Sequence, residues 1–191
     1  MGKIPTRDEA LALYKTYNES DSLTKHALAV EGVMRHYAEK YGEDVEKWGV
    51  VGLLHDLDYE QFPDQHCTKS AEILRENGID EEIIHAVVSH GYGICSDVAP
   101  EHIMEKVLYT TDELTGLINA AALMRPSKSV MDLEYKSVIK KYKTPTFAAG
   151  VDRSVIEKGC VLLDTDLQNV IEEVILAMRK VADDIGLGMQ S

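Results

Sequence analysis

Trp48-Gly49-Val50-Val51-Gly52-Leu53-Leu54-His55-Asp56-Leu57-Asp58 is the stretch on which the reading of this chain turns. From Trp48 to Leu54 it is apolar on every side, the pattern of a helix at the centre of a bundle rather than on its surface. Then an imidazole and a carboxylate follow without a break, so His55 and Asp56 enter the interior together. Burying an unpaired carboxylate costs several kcal/mol, and Asp56 therefore needs a cation beside it. No Lys or Arg lies between Lys47 and Lys69, so the same helix supplies none.

Outward from this stretch the sequence reads as helix after helix. Ser20, Asp21 and Ser22 offer N-caps for a helix over about 23–40 that stops at Gly42, and a shorter amphipathic segment over 8–17 precedes it. The central helix is expected over about 43–59. Asp64 can cap a helix over 65–77, Asp80 one over 81–89, and a long pattern runs over 101–124 to Pro126. Further helices are expected over 132–142 and 152–185, the last broken near Gly159. Alternating strand patterns are not sustained anywhere. The expected fold is all-α, a single domain over 1–191 with a core over about 20–120 and a C-terminal helical extension over about 130–191.

The chain of 191 residues carries 20 Lys and Arg against 33 Asp and Glu, a formal net charge of −13. That balance argues against a general nucleic-acid binder, and against a nucleic-acid duplex as partner, because such binding needs clustered positive charge. Three cysteines, Cys67, Cys95 and Cys160, show no CxxC spacing. They suggest a reducing compartment rather than a disulfide framework. No leading apolar segment and no run long enough to cross a membrane is seen, so a cytoplasmic location without a membrane partner is expected.

His26 falls on the apolar stripe of its helix, between Leu23 and Val30. A core histidine satisfied by one hydrogen bond is the plain alternative. Asp112 repeats the anomaly of Asp56: it shares a small, polar stripe with Leu108, Thr115, Gly116 and Asn119, which looks like the lining of a groove. Two histidines and two carboxylates on inward faces of three helices make a metal constellation of the kind helix bundles build. His66, in the first turn of its expected helix, and His90, at a helix terminus, form a second tier, with plain surface residues as the alternative. His36, His85 and His102 are expected to face solvent.

An isolated His, a His-Asp doublet and a distant Asp, here His26, His55-Asp56 and Asp112, resemble the metal signature of the HD superfamily of metal-dependent phosphohydrolases, in its small stand-alone HDIG-type form. Val51-Gly52-Leu53-Leu54-His55-Asp56-Leu57-Asp58 is similar to the family's HD helix, and the likeness covers about residues 20–120. It implies one divalent ion (Mn, Fe, Co, Ni, Zn or Mg) on His26, His55, Asp56 and Asp112. It also leaves room for a second ion, with His66 and His90 matching the second-ion positions and Asp56 bridging. The chain departs from two-metal members in carrying His90-Gly91 where they often show a consecutive histidine pair. It also lacks the Gly-Tyr-Pro motif of cyclic-dinucleotide-degrading relatives, having Gly91-Tyr92-Gly93 instead.

The resemblance implies a phosphoric ester hydrolase acting on a nucleotide or other small phosphorylated metabolite through a metal-activated water. Asp56 would be central to catalysis, and Asp58 is a candidate acid or base, with a helix-end carboxylate in solvent as its alternative. Arg125, Lys128, Lys136, Lys140, Lys141 and Lys143 outnumber Asp132 and Glu134 in their segment, and Lys136, Lys140 and Lys143 recur at helical spacing. Arg125, Lys128, Lys136 and Lys140 are thus candidates for phosphate recognition, with Lys25 and Lys69 weaker ones. The alternative is a solvated basic face, or one that meets an acidic patch of a second subunit in a homodimer. Two other functions share the fold: oxygenation at a two-iron centre, which the missing histidine beside His90 disfavours, and a non-catalytic, metal-containing sensor or interaction module.

Overall fold

Thr6 opens the first helix, α1 (Arg7–Tyr17), through a reciprocal capping box with Glu9. Ser20 caps α2 (Asp21–Tyr41), which ends at Gly42, and Asp44 caps α3 (Val45–Leu54). There follow α4 (Thr68–Glu76), α5 (Glu81–Ser89), α6 (Ile103–Leu123), α7 (Tyr135–Tyr142), α8 (Arg153–Leu162) and α9 (Leu167–Lys180). The computed structural model describes residues 2–189, and among these the architecture is all-α, with isolated bridges and no strand. None of these helices is long and apolar enough to cross a membrane.

Helix α3 is the axis of the bundle. Every residue from Trp48 to Leu54 is buried, against α2 on one side and against α1 and α5 on others. α6 crosses α2 and in turn carries α8, while α9 closes over α2, α6 and α7. One apolar core runs through all of these from Ala10 to Leu187. The C-terminal segment is stitched back by Leu187, whose carbonyl accepts from Val130 N at 3.0 Å and Ser129 Oγ at 2.7 Å.

The structure corrects the expected boundaries in three places. α3 stops at Leu54 rather than near Tyr59, because the chain tightens into turns, with Leu57 N donating to Leu54 O and Tyr59 N to Asp56 O. α4 begins at Thr68 and is not capped by Asp64; a single 3₁₀ turn, Pro63–Gln65, occupies that place. The final pattern breaks between Leu162 and Leu167, where Asp164 takes a positive φ of 50° and Asp166 caps α9. Gly159 is no break. It lies inside α8 where a side chain would run into Thr110 of α6, so the glycine permits close helix packing.

Candidate metal centre

His26 of α2, His55 at the C-terminus of α3 and Asp112 of α6 meet where those helices cross. His26 Nε2 lies 2.9 Å from Asp112 Oδ1 and 3.3 Å from His55 Nε2, and His55 Nε2 lies 3.2 Å from the same carboxylate oxygen. Asp56 Oδ2 completes the group at 3.3 Å from His55 and 3.7 Å from His26. On its other side Asp56 Oδ1 faces His66 Nε2 at 3.4 Å and His90 Nε2 at 3.5 Å, themselves 3.2 Å apart. Asp56 thus turns one oxygen to each of two histidine clusters.

The rings are aimed from behind. His55 Nδ1–H donates to Gly52 O at 2.7 Å, His90 Nδ1–H to Val87 O, and His66 Nδ1–H to Asp58 Oδ1 at 2.7 Å. In each case the bond to Nδ1 leaves the Nε2 lone pair pointing into the pocket, the arrangement that fixes a metal-ligating imidazole. Asp58 is fully buried, and its second oxygen accepts from Ser70 N at 2.7 Å in the first turn of α4. Asp58, the expected acid or base, thus has both oxygens engaged and does not line the pocket.

The electrostatics ask for a cation. Among the described residues, only histidines approach Asp56 or Asp112 within ion-pair distance; no Lys or Arg does. Burial alone would raise both carboxyls, but His55, with His26 and for Asp56 also His90, holds them well below the usual carboxylate range. Burial likewise works against charge on His55, yet Asp56 and Asp112 overcome it and raise its pKa well above the ordinary value. The carboxylates that favour positive charge on His55 would equally favour a cation between them. Imidazole nitrogens and carboxylate oxygens suit borderline to hard divalent ions, so these residues fit one.

A cavity of about 340 Å³ opens over the centre, lined by Tyr59, Ile94, Cys95, Tyr109, Glu113 and Val151 besides His26, Asp56, His66, His90 and Asp112. Glu113 escaped the sequence reading. Burial and the neighbouring Asp112 push its carboxyl up to about 7, although Asp152 N donates to it at 3.1 Å. A second groove shares His26, Asp56, Tyr59 and Gly116 with the first and adds Lys25 and Asn119. Lys25 was legible from its place beside His26, whereas Glu113 gave no sign beyond its adjacency to Asp112.

The basic segment does not reach this pocket. None of Arg125, Lys128, Lys136 and Lys140 lines it. α6 carries Arg125 about 20 Å along its axis from Asp112 at the α-helical rise, and Asp132 clamps the guanidinium with bonds of 2.7 and 3.0 Å. Lys136 lines a separate groove with Gln168 and Glu172, Lys128 and Lys140 are exposed, and Lys69 pairs with Glu72. Two histidines expected in solvent are also engaged: His36 Nε2 lies 2.6 Å from Glu173 of α9, and His85 Nδ1 lies 2.7 Å from the buried Glu105. His102 is exposed and caps α6.

Gly91 explains the departure from a histidine pair. A Cβ at this buried position would collide with the sulfurs of both Cys67 and Cys95, which lie 2.9 Å apart. The cysteine pair fills the space that a second histidine side chain would need.

Two imidazole–carboxylate clusters converge on one pocket, and their residues could hold a metal ion. The HD domain family model matches residues 23–117, and the chain belongs to that family. It is 30% identical over 174 residues to an uncharacterized protein of Methanocaldococcus jannaschii, covering 86% of this chain and 98% of the other. It is 31% identical over 137 residues to a tRNA (cytidine(56)-2'-O)-methyltransferase of Picrophilus torridus, covering 63% of this chain and 40% of that protein. A ribonuclease Y of Geobacter sulfurreducens is 30% identical over 107 residues, covering 54% of this chain and 19% of that protein. The match therefore spans well under half the length of both the methyltransferase and the nuclease.

Proposed function

We propose that this protein is a metal-dependent phosphohydrolase that cleaves a phosphoester of a nucleotide or other small phosphorylated metabolite. One observation carries the reading: Nε2 atoms of four histidines and both oxygens of Asp56 converge, without any Lys or Arg, beneath an open cavity. His26, His55, Asp56 and Asp112 would hold one ion, and His66, His90 and Asp56 a second. A bound divalent ion supplies charge for the phosphoryl oxygens and acidifies a water nucleophile. Lys25, which pairs with Asp21 at 2.7 Å, and Asn119 line the adjoining groove and would meet the remainder of the substrate, in place of the distant basic segment. Glu113, a carboxyl half-buried in the cavity wall, is suited to hand a proton to a leaving group.

The cavity volume lies in the range of small-molecule sites, and a net charge of −13 disfavours a duplex partner. Two relatives are named for RNA chemistry, so short single-stranded RNA belongs in the assay beside nucleotides, cyclic nucleotides and phosphomonoesters. The test is metal-reconstituted screening of that panel with Asp56→Ala as control. Hydrolysis that depends on Asp56 is expected; hydrolysis that survives in Asp56→Ala refutes the site. A second reading, two-iron oxygenation, is kept by the convergence of the His66–His90 pair on Asp56, and dioxygen consumption by the iron-loaded protein would favour it over hydrolysis.

A further inference from the structure

Cys67 and Cys95 have no part in the reaction above, yet their sulfurs are 2.9 Å apart at the His66–His90 end of the pocket. A disulfide bond measures about 2.05 Å, so less than an ångström separates contact from bond. Cys67 is buried, while Cys95 lines the cavity and is reachable from it. Cys67 also holds φ 69° and ψ −47°, close to the strained classic γ-turn and rare for any residue with a side chain. Gly91 packs against both sulfurs, and its carbonyl accepts from Ile94 N, Cys95 N and Ser96 N at 3.0, 3.0 and 3.1 Å. The loop bearing Cys95 is thereby tied to the residue next to His90, and Cys67 is the residue next to His66.

We propose that Cys67 and Cys95 are a modification site, a dithiol that closes to a disulfide and in closing pulls His66 and His90 out of register with Asp56. A low-molecular-weight disulfide is the oxidant. Cys95 loses its proton and attacks one of its sulfurs, the reagent's S–S bond breaks, and the departing thiolate takes up a proton. Cys67 then loses its proton and attacks Cys95 Sγ, and the second thiol departs. Two protein thiols are oxidised and one small disulfide is reduced to two thiols. Cys160, on α8, takes no part. The metal consequence rests on the proposed function; the cross-link does not.

The experiment exposes the folded chain to oxidised glutathione and reads intact mass, peptide map and metal content. The expected result is loss of two hydrogens, a single Cys67–Cys95 linked peptide, the same outcome in Cys160→Ser, and a stable glutathione adduct on Cys95 in Cys67→Ser. Bound metal is expected to fall by about half on oxidation and to return on reduction. Thiols of Cys67 and Cys95 that stay fully alkylatable, or a cross-link that forms no faster in the folded than in the urea-unfolded chain, overturn the proposal. A cross-link that leaves metal content unchanged overturns its effect on the histidines. A cross-link in a chain that never binds metal refutes the proposed function and leaves the dithiol standing.

Discussion

The two ends of the pocket share Asp56 and are built from different material. His26, His55 and Asp112 stand on α2, α3 and α6, whose flanks are buried in the common core. His66 stands in the connection after the 3₁₀ turn Pro63–Gln65, His90 at the end of the nine-residue α5, and beside them lie a strained cysteine and the tight loop that follows Gly91. One end is held by helix packing; the other needs Asp58 behind His66 and the cysteine pair behind Gly91. The two ends therefore differ in how firmly their donors are held as well as in their number.

The largest effect should come from removing what the two ends share. Asp56→Asn is expected to lower kcat/KM by at least ~10³-fold, the loss of several kcal/mol of charge stabilisation, and to abolish metal retention at both ends as measured by elemental analysis. His26→Ala against His66→Ala sharpens the contrast: the first should lose the tighter ion, the second only the weaker one. If His66→Ala strips both ions, the two ends are not separable. Asp58→Asn should weaken metal affinity at the His66 end by about 10–100-fold, as loss of an outer partner does, and leave the other end intact in a competition titration. Gly91→Ala should cost about 1–3 kcal/mol in chemical denaturation through overpacking and should block the Cys67–Cys95 bond.

The smallest expected effect lies away from both ends. Glu173 is pulled below its ordinary 4.5, since hydrogen bonds from Lys40 and His36 outweigh its partial burial. A depressed carboxyl stabilises the fold above its unfolded pKa, and that contribution is lost as pH falls through the folded value. Glu173→Gln should thus be less stable than the parent by about 1–3 kcal/mol at pH 7, with the gap closing below about pH 4. Parallel urea titrations at the two pH values check it, and metal content should not change.

The same contrast accounts for what the sequence disclosed. Helix-borne residues announce themselves by period: His26 on an apolar stripe, Asp112 on a polar one, His55 and Asp56 at the end of an apolar run. Turn-borne features do not. Nothing local in Asp58 shows that it will be buried beneath His66 and Ser70, and nothing in Cys67 forecasts a positive φ. His36 was misjudged because its partner, Glu173, lies 137 residues away. The basic segment misled for a geometric reason: continuity along α6 carries Arg125 away from Asp112 rather than over it.

Asp56 has a further consequence. A carboxylate that offers one oxygen to each cluster has a single negative charge to divide between them. Once a cation draws on the first oxygen, the second is a poorer base, so loading should be negatively cooperative. Two well-separated binding steps in calorimetry would follow, with the packed-helix end filling first and the turn-built end exchanging its ion freely.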